Sequence, residues 1–160
     1  MRVVADTSPL IALERIGHLD LLKHLYRILW VPPAVRRELL EGYRQLGWPN
    51  PLQDAAWIRV SRRPLHVSSQ LLRVQLGAGE SEALALAMQS PSSLLLIDEA
   101  AARTVAQAIG LRYTGTLGVL LKAKANGLIP EIRPLLDRLI QRTFHVSEPL
   151  YRETLALAGE

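Results

Sequence analysis

Five short apolar runs punctuate the chain: Val3-Val4-Ala5, Ile28-Leu29-Trp30-Val31, Trp57-Ile58-Arg59-Val60, Leu94-Leu95-Leu96-Ile97 and Leu111-Arg112-Tyr113-Thr114. Each is followed by a stretch with helical spacing or helix punctuation. A parallel strand pair needs a crossover connection, usually a helix, rather than a tight turn. The alternation therefore predicts an α/β fold with a central, mostly parallel five-stranded sheet flanked by helices. A chain of 160 residues is long enough to bury a proper core. No repeat, low-complexity tract or linker divides it, so residues 1–160 are expected to form one domain. A last helix, at about 147–158, is expected as an appendage.

Local signals set the expected elements. Pro9 favours a first helical position, with Ser8 as N-cap and the helix running to Ile16 before Gly17. Leu19, Leu22 and Leu25 mark a helix over His18–Tyr26. Pro33 opens another, ending at Gly42, and residues 42–56 read as irregular. Ser68–Leu76 reads as a short helix. Gly77-Ala78-Gly79 looks like a hinge before a helix over Glu80–Gln89. Glu99–Ile109 is a helix stopped by Gly110. Helices are also expected from Thr116 to Asn126, from Pro130 or Glu131 to Gln141, and after a Ser147 cap. Thr143–Val146 reads as a short extended piece.

Composition narrows the class. There is no cysteine, which excludes disulfides and thiolate metal sites. No apolar run reaches the roughly 20 residues that span a bilayer, and the N-terminus lacks a signal-peptide pattern. A soluble, cytoplasmic protein is expected. The net charge of +4 and pI near 9.8 suit a polyanionic partner such as nucleic acid, although a basic surface alone would give the same numbers.

In a parallel sheet the carboxyl ends of the strands share one edge, where ligands bind. Asp6 ends the first strand and, with Ser8 as cap, has no local structural duty. Asp98 ends the fourth strand, either as a site residue or as the cap of the next helix. Glu38 borders an apolar face shared by Val35 and Leu39. Glu80 lies on a helical face with Ala83, Leu84, Ala87 and Met88, where a charge needs a reason. Glu82 and Glu41 read as solvated acids. If Asp6, Glu38, Glu80 and Asp98 converge, they cannot all stay ionised without a cation, and an all-oxygen set selects Mg²⁺ or Mn²⁺. Such an ion serves phosphodiester hydrolysis.

The motifs carry a resemblance. Val3-Val4-Ala5-Asp6-Thr7-Ser8 is similar to the opening motif of PIN-domain nucleases. Pro32-Pro33-Ala34-Val35-Arg36-Arg37-Glu38-Leu39 resembles their second acidic motif, Gly79-Glu80-Ser81-Glu82-Ala83-Leu84 the third and Leu96-Ile97-Asp98-Glu99 the fourth. Gly115-Thr116-Leu117-Gly118 resembles the stretch after the last sheet strand in a prokaryotic subgroup described as predicted nucleic-acid-binding proteins. The resemblance implies a three-layer PIN-like fold with the first strand central. It implies a Mg²⁺- or Mn²⁺-dependent endoribonuclease with catalytic and metal-binding residues Asp6, Glu38, Glu80 and Asp98. Thr116 lies near where many members carry a further Asp or a hydroxyl residue, Glu99 where some carry a second Asp, and Ser8 completes the first motif. Many members are VapC-type toxins of toxin–antitoxin pairs and form dimers. The resemblance therefore also implies RNA as substrate, a small antitoxin partner and a homodimer.

Arg36, Arg37, Arg59, Arg62, Arg63 and Arg73 are candidates for an RNA backbone track, against the plainer reading of a solvated face. His18, His24, His66 and His145 have no metal-ligand spacing. Trp30, Trp48 and Trp57 read as packing. A haloacid-dehalogenase-type phosphatase would need a second Asp where Ser8 stands. A PIN fold that binds RNA or a protein without cutting is the remaining alternative.

Overall fold

The computed structural model describes residues 1–50, 52–53, 55–61, 73 and 75–160. Five strands form one all-parallel sheet: β1 (Val3–Ala5), β2 (Leu29–Val31), β3 (Ile58–Val60), β4 (Leu94–Leu96) and β5 (Arg112–Thr114), in the order β3-β2-β1-β4-β5. Val4 pairs with Trp30 on one side and Leu95 on the other. Among the described residues eight helices flank the sheet: α1 (Thr7–Arg15), α2 (Asp20–Tyr26), α3 (Pro33–Leu46), α4 (Ala78–Met88), α5 (Ala100–Ala108), α6 (Thr116–Ala125), α7 (Arg133–Gln141) and α8 (Glu148–Ala158). All three residues of β1 are buried although successive side chains point to opposite faces, so helices cover both sides of the central strand. This is the expected three-layer α/β fold. The chain reverses direction across the sheet between β1 and β4, so the crevice at their carboxyl ends is the topological switch point.

Several local expectations need correction. Helix α1 starts at Thr7, with Asp6 at the N-cap position, so Ser8 is not the cap and Pro9 is the third helical residue. Proline lacks an N–H that no first-turn residue needs, so it fits anywhere in that turn and cannot fix the start. Helix α3 runs through Gly42 to Leu46 and stops at Gly47, whose φ of 67° is left-handed. Gly42 is instead a notch: a Cβ there would stand 2.8 Å from Ile11 Cδ1 of α1. Gly77-Ala78-Gly79 is not a hinge, because α4 already includes Ala78 and Gly79. Its burial runs almost all the way round, from Ser81 and Ala83 to Ala87, while Met88 is exposed, so no single apolar face singles out Glu80. Helix α7 begins at Arg133 rather than Pro130 or Glu131, and residues 143–146 form no strand. Ser147 does cap α8, accepting from the Leu150 amide at 3.4 Å. Most of the expected helix over 68–76 lies outside the described residues.

The tryptophans pack as expected. Trp30, Trp48 and Trp57 lie against the core, and Trp48 meets buried Tyr43 edge-on at 5.3 Å. Among the described residues no helix is long and apolar enough to cross a membrane.

Candidate functional site

Asp6 follows β1 directly, and its amide donates to the Leu96 carbonyl of β4 at 3.0 Å, so the sheet pairing carries one residue past the strand. That pairing holds the Asp6 backbone at the switch point. The residue is 2% exposed. Burial pushes its carboxyl up to about 7; the Thr7 and Ser8 amides pull it down, while Glu80 and then Glu38 push it up again. Asp6 thus does have a local role, at the positive end of α1. Among the described residues no Lys or Arg forms an ion pair with it.

Glu38 reaches the same place from α3. Its Oε2 accepts from the Thr7 hydroxyl at 2.6 Å and its Oε1 from the Gly79 amide at 2.8 Å. A Cβ on Gly79 would collide with this carboxylate, so the close approach requires glycine. Glu80 is the third residue of α4, and its Oε2 accepts from the Gly77 amide at 2.6 Å, the backbone half of a capping box. Its field still reaches Asp6.

Asp98 follows β4 and faces another partner. Its Oδ1 accepts from the Thr116 amide at 2.7 Å and its Oδ2 from the Thr116 hydroxyl at 2.6 Å. The position before α5 belongs to Glu99, which is exposed, so Asp98 caps α6 rather than the helix that follows it. Burial raises its pKa, opposed first by the two Thr116 hydrogen bonds and then by Arg103. Gly115 makes room, since a Cβ there would stand 2.5 Å from Oδ1. Thr116 is fully buried.

Asp6, Glu38 and Glu80 therefore share one electrostatic neighbourhood, while Asp98 is directed at α6. Among the described residues, no three His, Asp or Glu side chains form a group that could hold a metal ion. Glu38, Glu80 and Asp98 are instead directed at backbone amides and hydroxyls. Carboxylate oxygens retain further acceptor capacity after one hydrogen bond, so this set remains chemically suited to a hard divalent cation. Asp6, buried beside two like charges, is the group such an ion would relieve most.

The reading of Glu82 as a solvated acid is overturned. Its side chain is 15% exposed, its Oε2 accepts from the Ala34 amide at 2.7 Å, and Arg37 and Arg73 each stand 4.0 Å from its Oε1. Neither that role nor the Thr7 hydroxyl's hold on Glu38 was anticipated, because both partners are distant in sequence. Glu41 does lie at the surface, paired with Arg44 at 2.7 Å. Of the candidate arginines, Arg36, Arg37, Arg59 and Arg73 are exposed. Arg59 lies over the Trp30 ring at 5.9 Å, on a sheet face rather than at the carboxyl edge. Arg62 and Arg63 lie outside the described residues. Ser8 is exposed beside Asp6.

No curated protein and no solved structure matches the chain. A family model described as DUF3368, a PIN domain, matches residues 2–160. With a buried aspartate at the switch point of a five-stranded parallel sheet, and that match over nearly its whole length, the chain belongs to the PIN-domain family, whose members are generally nucleases.

Proposed function

We propose that the protein is a metal-dependent endoribonuclease that hydrolyses RNA phosphodiester bonds. The observation that carries this reading is Asp6, a buried carboxyl at the end of the central strand, pushed up by burial and by Glu80 and Glu38 and without an ion-pair partner among the described residues. PIN domains typically use divalent metals. Asp6, Glu38, Glu80 and Asp98 would hold Mg²⁺ or Mn²⁺, which supplies phosphate neutralisation and an activated water. Around it, the chain's own groups orient the acids: Thr7 and Gly79 fix Glu38, Gly77 fixes Glu80, and Thr116 fixes Asp98. Glu99 and Ser8 stand at the rim as supporting groups. Arg36, Arg37, Arg59, Arg62, Arg63 and Arg73 are proposed to grip the RNA backbone. Residues 1–160 are taken as one PIN-like domain.

Cleavage of labelled RNA by wild type and by Asp6→Asn, in Mn²⁺ and in chelator, tests the reading. Wild type in Mn²⁺ should cut, and the other three conditions should not. An Asp6→Asn protein that cuts as fast as wild type would sink it.

A second reading has its own support. Glu38, Glu80 and Asp98 are each occupied by backbone or hydroxyl donors, and among the described residues no three-ligand group stands assembled. That favours a PIN fold that binds RNA or a protein without cutting. Under it, wild type would bind RNA and leave it intact at every Mn²⁺ concentration.

We extend the first reading to a cytoplasmic toxin, acting as a homodimer and restrained by a small antitoxin protein. Induction should arrest growth, and an unaffected growth curve would remove this extension while leaving the nuclease in place.

A further inference from the structure

Two cavities flank the carboxyl edge of the sheet, and one residue, Phe144, lines both. The first, about 230 Å³, lies between α1 and α7 and is lined by Thr7, Ser8, Arg15 and Arg142 as well as Phe144. The second, about 330 Å³, opens at Asp98 and Gly115 and is lined by Tyr113, Arg103, His145 and again Phe144. Phe144, the chain's single phenylalanine, sits in the segment joining α7 to α8. It follows Thr143, whose φ of 70° turns the backbone, and its amide is tied to the Leu139 carbonyl at 3.0 Å. The Phe144 backbone is thus tied to the end of α7, and the residue is partly buried against the core. One cavity begins at the residues next to Asp6 and the other at Asp98 itself.

We propose that these cavities take the two nucleotides on either side of the cleaved phosphate, with Phe144 between their bases. Single-stranded RNA is read by splaying unstacked bases onto aromatic and guanidinium planes. Here Phe144 and Tyr113 supply the aromatic faces, and Arg15, Arg142 and Arg103 supply positive charge along the path. Arg103 already lies over the Tyr113 ring at 5.3 Å, a ready stacking platform. The inference rests on the RNA-cleavage reading and assigns the site its subsites.

The test is an abasic scan. RNA hexamers, each lacking the base at one position, are bound to the protein in chelator, so that the strand stays whole whether or not the site cuts. In wild type, two adjacent abasic positions should weaken binding by about fivefold or more each, the scale of one lost base–aromatic stack. Phe144→Ala should shrink both penalties, the first more than the second, where Arg103 and Tyr113 remain, and Phe144→Tyr should keep them. Leu121→Trp, which fills only the second cavity, should lose one of the two and serves as the independent variant if Phe144→Ala does not fold. A flat scan in wild type, or the same two penalties in Phe144→Ala, would overturn the inference. Cleavage with a flat scan leaves the nuclease standing without these subsites; a positive scan without cleavage removes the nuclease and keeps the subsites. Failure to bind any hexamer overturns the subsites and leaves the nuclease to the cleavage assay in Mn²⁺.

Discussion

Glu38 and Glu82 each cap the helix that carries the other. Glu38 of α3 accepts the amide of Gly79, the second residue of α4, at 2.8 Å, and Glu82 of α4 accepts the amide of Ala34, the second residue of α3, at 2.7 Å. First-turn amides have no partner within their own helix, so each acid satisfies a donor that would otherwise be orphaned at the α3–α4 contact. Glu82→Ala should therefore cost roughly 1–3 kcal/mol, the range for a lost cap and a charged hydrogen bond. At about 2–4 °C per kcal/mol for a chain this long, thermal unfolding should report it. A melting temperature unchanged from wild type would show that Glu82 holds nothing.

Gly79 sets the position of Glu38 at the site. A Cβ there meets the carboxylate of Glu38, the movable end of a long side chain, rather than backbone. Alanine also gains up to about 1 kcal/mol over glycine inside a helix. Gly79→Ala should push Glu38 off its two partners, and the roughly 1–3 kcal/mol lost with those hydrogen bonds should be offset only in part by the alanine, so the variant should melt below wild type but no lower than Glu82→Ala. RNA cleavage, measured beside the melting curve, should fall at least tenfold, and full activity would mean that the position of Glu38 does not matter.

How much of this was legible depends on the reach of each signal. The five strands and Asp6 were readable because a buried strand and its terminal carboxylate are contiguous in sequence. The start of α1 was not, since Pro9 is equally at home at several places in the first turn. Gly42 looked like a stop because a glycine that ends a helix and one that makes room for Ile11 are the same letter; only the packing of α1 separates them. Glu82 looked solvated because its acceptor role depends on Ala34, 48 positions away. The acids themselves were nameable, but the two hydrogen bonds that Asp98 accepts from Thr116 depend on how β4 and α6 meet.

Thr116 offers a clean change at that junction. Its hydroxyl donates to Asp98 at 2.6 Å and is fully buried. Thr116→Val keeps the shape and removes the donor, leaving Asp98 with the amide alone. We expect a loss of roughly 1–3 kcal/mol and a further rise in the Asp98 pKa. Thr116→Ser should restore most of both. Urea unfolding of the two variants checks this, and a serine variant as weak as the valine one would assign the effect to the methyl group instead.

Asp6 sets a pH dependence whose sign is fixed by the direction of its shift. Its carboxyl titrates near 7 in the folded chain against a usual value of 3.8. Between those values the folded state holds a proton that the unfolded chain has released. Relative to a group with no shift, the protonated form contributes stability in full below about 4 and loses its hold as pH rises through 7. Above that the buried anion, facing Glu80 and Glu38, costs the fold on the order of a few kcal/mol. Asp6→Asn should therefore melt higher than wild type at pH 8 and converge with it near pH 4. Mn²⁺ should raise the wild-type melting temperature at pH 8, where the carboxylates are charged, and should do little to Asp6→Asn. Differential scanning fluorimetry across pH, with and without Mn²⁺, reads both effects. An Asn variant less stable than wild type at pH 8 would mean that Asp6 is a structural cap rather than a strained acid, and equal Mn²⁺ shifts in the two proteins would place the ion elsewhere.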